Sequence, residues 1–409
     1  MNASTEQNTS ETTFLGLAPF LRASVGGQEL KPYAEALLAE AQQKQTDGPL
    51  WMNLSVAMQC IGQRDIGLSI QAMALEQQRI FHLPAMQQPV LTRLLVLMAP
   101  GDIAANTPID CLLERTDVDL ILYYVSQPDP LALPVPEHDA VLVAISESDA
   151  NRATLRALEE KLQDWPQPII NQPKCIPCVG RDAASELLRD VPGIEMPPTL
   201  RCAREVLQTI AAGQSNLAEA FSGLDYPIIV RPYDSQAGRD LARIASAAEL
   251  AEYLAKVQAS DFFIARFIDY SGDDGLFRKF RIALIDGQAY ASHMAVSAHW
   301  MIHYLNAGMY EDANKRAEEL AFMDHFDDFV QRHHHALNEI YRRTGLDYLL
   351  IDGAETRDGK LLIFEIDHTM VVHAMDSEEL FPYKQQHIAK ARDAFRAYLQ
   401  RLTAGSQHA

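Results

Sequence analysis

The chain has 409 residues, 48% hydrophobic and 22% charged, with 55 acidic against 35 basic side chains and a formal charge of −20. That length allows about two to four ordinary domains, and the composition excludes a disordered or collagen-like chain. The charge argues against broad adhesion to nucleic acid or anionic membrane. No apolar run approaches the ~20 residues of a membrane span and no basic-then-apolar leader opens the chain, so a cytoplasmic location is expected.

Residues 1–14, which begin MNASTEQNTSET, read as a disordered tail. From 15 to 90, apolar residues recur at helical spacing in YAEALLAEAQQ, LWMNLSVAMQCIGQ and IGLSIQAMALEQQRIF, giving a small helical domain. The second and third segments faintly resemble a tetratricopeptide helical pair, but a stable array usually needs three repeats. A partner protein could dock on this domain.

Residues 91–190 change to short strands alternating with helices: LTRLLVLMAP, VDLILYYVS, DAVLVAIS, the helical RATLRALEEKLQDW, then PIINQP. This alternation predicts a parallel sheet of the Rossmann type. The loop APGDIAANTP has one glycine and no GxGxxG, so no dinucleotide site is expected, although the strand ends offer a ligand crevice. Five cysteines in a long chain speak against a disulfide framework. Cys175 and Cys178 form a CxxC without a second CxxC or a nearby histidine pair, and read as two loop thiols.

VPGIEMPP, residues 191–198, reads as a linker. Residues 191–260 continue with a helix over TLRCAREVLQTIAAG, the strand YPIIVRPYD, the loop SQAGRD, the strand LARIAS and the helix AAELAEYLAKV. Residues 261–409 begin with the strand FFIARFIDY and a strand pair joined at Asp286-Gly287, a strong hairpin signal.

In the last third, YLLIDGAE and LLIFEIDHTM flank TRDGK. A two-residue turn at Asp358-Gly359 makes paired positions sum to 717, which puts Asp352 opposite Glu365 with Asp367 on the same face. Three carboxylates on a mainly apolar strand pair would repel one another and suffer desolvation. A divalent cation resolves the conflict, and oxygen-only donors suit Mg or Mn. The alternative is a strand face whose carboxylates are paired to arginines. Upstream, Arg231 ends a strand before SQAGRD, whose small residues would let backbone N–H groups approach phosphates, and Lys279 and Arg281 share one face of FRKFRIALID.

The ordered series PPT-L-R, IIVRP, FFIARFI, FRKFRIALIDGQAY, GLDYLLIDGAE and DGK-LLIFEID resembles the ATP-grasp family of glutathione synthetase and the ribosomal-protein glutamate ligases, over about residues 91–398. The resemblance implies an α/β and α+β multi-domain fold: a helical N-terminal domain, a Rossmann-like pre-ATP-grasp domain (91–190), an ATP-grasp lid (191–260) and an ATP-grasp core (261–409). It implies ATP and Mg (or Mn) as cofactors, and ligation of an acid to an amine through an acyl phosphate. By position, Arg231, Arg181, Lys279 and Arg281 fall on phosphate contacts, with Arg231 and Arg281 catalytic. Ser235, Gln236, Ala237 and Gly238 fall on the loop over the phosphates, and Ile264, Ala265, Arg266 and Phe267 on the hinge whose backbone reads adenine. Asp352, Glu365 and Asp367 fall on the metal positions.

Four departures from the family pattern are Asp367 for asparagine, Arg266 for glutamate, Arg231 for lysine and a phosphate loop with one glycine rather than several. They leave open a weakened catalyst that binds nucleotide, and phosphorylation without ligation is a further alternative. The substrate would be a small acid, amino acid or peptide. His293, His299, His303 and Tyr304, with Trp300, are candidates to bind it or to act as a base, and His368 is a candidate neighbour of the metal strand. His333–His335 read as a surface cluster. A homodimer is common among such relatives.

Overall fold

A computed structural model describes residues 12–233, 235 and 238–406. The chain divides into two compact units: the first takes the described residues up to Ile176, Leu346–Tyr348 and those from His368 onward, and the second takes Pro177–Gly345 and Leu349–Asp367.

The first unit opens with helices Ala18–Val25, Lys31–Ala41, Gly48–Cys60 and Arg64–Gln77. Proline in the first turn of the first three suits a position whose N–H has no helical partner. Phe20, Leu37, Leu50, Leu54 and Ile70 form their core. The first of these helices lies outside the three periodic segments of the sequence. It is capped from outside the helical segment: Asp110 Oδ2 accepts the Leu17 and Ala18 amides at 2.7 and 2.9 Å. Gly16 permits this approach, because its φ is +73° and a Cβ there would lie 2.7 Å from the same oxygen.

The fourth helix stops at Gln77, short of the expected Phe81, and Ile80–Leu83 becomes strand β1. β1 pairs antiparallel with β3 (Val118–Tyr124) at the edge of a sheet completed by β2 (Thr92–Met98), β4 (Ala140–Val143) and β5 (Ile169–Ile170). The order is β1-β3-β2-β4-β5, with the remaining strands parallel. The expected Rossmann-type sheet is therefore present, with an antiparallel edge added. At its strand ends, where a ligand crevice is expected, lies a small cavity. Gln71 exchanges two 2.8 Å hydrogen bonds with the Gly101 backbone, and Gln59 Oε1 accepts the Ile103 amide at 3.1 Å. The N-terminal helices thus close the strand ends around a cavity of about 60 Å³ lined by Phe14, Asn106, Asp110 and Tyr124 among others.

In the second unit the linker contains a short strand, β6 (Ile194–Glu195), parallel to β14 (Leu361–Asp367). TLRCA, expected to begin a helix, forms β7 (Leu200–Ala203) before the helix Arg204–Ala211. β8 (Ile228–Pro232), β9 (Ala242–Ile244) and β10 (Asp261–Arg266) join β7 in an antiparallel sheet of order β7-β10-β8-β9. Leu207 and Ile210 of that helix, with Leu250 and Leu254 of Ala247–Lys256, pack against Val230 and Ile264. The second sheet is β12-β11-β13-β14-β6, from β11 (Phe277–Ile285), β12 (Gln288–Ser297), β13 (Tyr348–Glu355) and β14 (Leu361–Asp367). Asp286 and Gly287, both at positive φ, make the two-residue turn from β11 to β12.

Candidate functional site

The β13–β14 hairpin places Asp352 opposite Glu365, as expected, but by another route. The connection has three residues, Arg357, Asp358 and Gly359, between Thr356 and Lys360, with Gly359 at φ +77°. That turn alone would pair Asp352 with Phe364. A bulge at Phe364 adds one residue to β14, so Gly353 faces Ile363 while Asp352 faces Glu365. Gly353 is required there: a Cβ would meet the Leu362 carbonyl oxygen at 2.5 Å and the Phe280 ring at 3.2 Å. A second bulge in β12 sets His293 opposite Arg281.

Around the two carboxylates stand four cations. Arg281 holds Asp352 through Nε–Oδ1 at 2.7 Å and Nη2–Oδ2 at 3.0 Å, and Lys279 Nζ reaches Oδ2 at 2.7 Å. Arg181, the first residue of the helix Arg181–Leu188, donates to Glu365. Arg231, buried on β8, donates to the Ser235 hydroxyl at 3.1 Å and to the Ser235 carbonyl.

The electrostatics follow from these contacts. Burial alone would raise the Asp352 pKa, but Arg281 and Lys279 more than offset it and hold the carboxyl well below its usual range. Burial likewise opposes ionisation of Glu365, and Arg181 and Arg231 overcome it. Arg231 is pushed down to about 10 by burial and then by the charge of Arg181. Among the described residues, four cations against Asp352, Glu365 and the nearby Asp367 leave a positive cluster in a chain of charge −20. Such a cluster suits an anion with several oxygens.

The metal expectation meets a different arrangement. Asp367 lies opposite Leu350, two residues along β14 from Glu365. Among the described residues, no three His, Cys, Asp or Glu side chains converge as a metal site. Asp352 and Glu365 are paired to Lys and Arg, as in the alternative drawn from the sequence, but Asp352 is only 3% exposed rather than on a solvated face. Their chemistry, hard oxygen donors on one rung of one strand pair, still fits a divalent cation.

Ser235 is buried and Gly238 sits at φ +72°, while Gln236 and Ala237 lie outside the described residues. Ile264 is fully buried and pairs with Val230, whereas Ala265 and Arg266 extend past the end of β7. Arg266 is bound to Glu195 at 3.0 Å, and Phe267 lies beneath the Arg243 guanidinium.

Of the histidines, His293 packs its ring on Tyr304 and adds to the positive field at Asp352. His303 lies beside the cluster: burial, then Lys279 and Arg281, push its pKa below the ordinary value, against Asp352. Its ring accepts the Asn306 amide, so that nitrogen is unprotonated and a neutral ring carries its proton on the other. His299 is exposed. His368 belongs to the first unit, where Nε2 lies 3.0 Å from the Ile145 carbonyl oxygen. His333 is buried against Glu355 at 2.8 Å rather than at the surface.

A residue not expected from sequence is Glu319. It is fully buried, accepting the Met294 amide at 3.0 Å and the Tyr304 hydroxyl at 2.9 Å, and so holds the segment after β12 to the sheet. Its neighbour Glu318 faces outward to Arg278, and nothing in RAEELAF distinguishes the two.

No protein-family model matches the sequence, and no curated protein matches it. Among solved structures the chain is similar to a D-alanine–D-alanine ligase from Bacillus anthracis complexed with ATP, at 15% identity and TM-score 0.42, over 74% of this chain and 98% of that one. It is similar to a RimK domain protein ATP-grasp from Sphaerobacter thermophilus at 14% and 0.41, over 75% and 99%. It is also similar to the VanG D-Ala:D-Ser ligase from Enterococcus faecalis at 12% and 0.46, over 76% and 99%.

Proposed function

We propose that the chain is an ATP-grasp-type ligase that joins a carboxylic acid to an amine at the expense of ATP. The observation that carries this reading is the grouping of Arg181, Arg231, Lys279 and Arg281 around Asp352 and Glu365, next to the Ser235 loop. A substrate carboxylate oxygen would attack the γ-phosphorus of ATP as the bond to ADP breaks. The amine would then attack the acyl carbon, lose a proton and expel phosphate. Both steps develop negative charge on phosphoryl oxygens, which fixed cations in a partly buried site stabilise.

In this reading Lys279 and Arg281 hold the transferred phosphoryl group, Arg231 and Arg181 the remaining phosphates, and Ile264–Phe267 the base. Asp352 and Glu365, with Asp367 beside them, would hold Mg or Mn, which when bound neutralises phosphate charge and acts as a Lewis acid. Neutral His303 offers an N–H to the acid substrate rather than serving as a base. His293 and Tyr304, positioned through Glu319, shape the substrate side.

The test is ADP and phosphate release across a panel of acids and amines. Turnover is expected only when both partners and a divalent cation are present, and Glu365→Ala should lower it by about 100-fold or more. Full turnover in that variant would remove Glu365 from the machinery. The tight pairing of Asp352 favours a second reading, a nucleotide-binding module without turnover. It predicts ADP and ATP binding with no release on any acid and amine pair.

A further inference from the structure

We propose that Asp352 masks the phosphate-binding cations until a divalent cation is bound, so that metal and nucleotide bind cooperatively by an exchange of ion-pair partners. This rests on the nucleotide reading above and concerns how that site is regulated. Both oxygens of Asp352 are engaged, one by Arg281 and the other by Arg281 and Lys279. The Asp352 side chain is 5% exposed, while those of Lys279 and Arg281 are 22% and 17% exposed. The cations are thus partly exposed, with their charge paired to a buried carboxylate. Glu365, whose side chain is 31% exposed, pairs with Arg181 through one oxygen.

A phosphate arriving alone must compete with Asp352 for Lys279 and Arg281. Drawing them away would leave a buried carboxylate uncompensated, which is strongly unfavourable. A divalent cation supplies that compensation: oxygens of Asp352 and Glu365 turn to it, and Lys279, Arg281 and Arg181 become available to phosphate oxygens. No covalent bond changes; only charge partners do. By linkage, the factor by which the cation tightens nucleotide binding equals the factor by which nucleotide tightens cation binding.

The test is calorimetric titration with ADP, with magnesium and in EDTA, on the full chain. Wild type is expected to bind ADP at least about tenfold more tightly with magnesium. Asp352→Asn, which removes the mask and keeps the shape, should bind metal-free ADP several-fold more tightly than wild type and lose most of the magnesium effect. Adding Lys279→Gln should abolish that gain. Glu365→Gln, at a less buried carboxylate, should raise metal-free affinity in the same direction by freeing Arg181, and it decides the question should Asp352→Asn not fold. Metal-free affinity no higher than wild type in a folded carboxylate variant overturns the exchange. Absence of ADP binding by wild type in both conditions overturns instead the nucleotide reading on which it rests.

Discussion

Asp352 illustrates how strongly a single buried group depends on its partners. Its folded pKa lies below the unfolded value of about 4, because Arg281 and Lys279 outweigh the burial that opposes ionisation. The stabilisation is complete above the unfolded pKa and is lost as pH falls through the folded one. Asp352→Asn should therefore cost about 3 kcal/mol at pH 7. The gap to wild type should narrow as pH is lowered from about 5 toward 2. Urea unfolding of both proteins across that range checks the sign; a gap that stays constant would mean that the charge contributes nothing, and one that widens on acidification that it destabilises.

At the scale of elements, the β13–β14 hairpin sets the site. Two of its glycines serve different ends, Gly353 through a close approach at the bulge and Gly359 through its left-handed turn conformation. Gly353→Ala should cost about 1–3 kcal/mol in urea unfolding and weaken ADP binding, because the register that pairs Asp352 with Glu365 depends on the bulge. Gly359→Ala has open space and should cost only about 1 kcal/mol of backbone strain, with binding unchanged. Similar binding losses in both would show that the bulge has no particular role.

At the scale of the molecule, the chain leaves its first unit at Ile176 and returns to it twice. The first return, Leu346–Tyr348, is tied down by the buried Asn171 amide, which exchanges hydrogen bonds with the Tyr348 backbone at 2.9 and 3.0 Å. The second, from His368 onward, contains the helix Lys384–Ser406, whose Ile388, Ala391, Phe395 and Leu399 are buried at helical spacing, with Phe395 against Tyr348. Phe395→Ala should destabilise the first unit by about 3–5 kcal/mol, lowering one calorimetric transition more than the other. A uniform shift of a single transition would mean that the two units unfold as one.

The sequence by itself determined most of the strands and the Asp286-Gly287 turn, and it faced Asp352 with Glu365 through a two-residue turn where the structure has a three-residue turn and a bulge. Strand alternation and turn chemistry are local, so they are legible in one dimension. It also marked Arg231, Lys279 and Arg281 by strand position and alternation, and Arg181 only through an ordered resemblance, since basic residues near strands are common. Where local signals are weak, the pairing differs from the periodicity: TLRCA has helical periodicity yet pairs with β10, and Ile80–Leu83 continues a helical pattern yet completes a sheet edge. A strand partner outweighs propensity because it satisfies a whole row of backbone groups. Only the tertiary structure decided that the helical segment closes the strand-end crevice, that Glu319 and not Glu318 is buried, and that the carboxylates are paired to cations. Each of these depends on charges and shapes brought together from distant parts of the chain, and no spacing within the sequence records them.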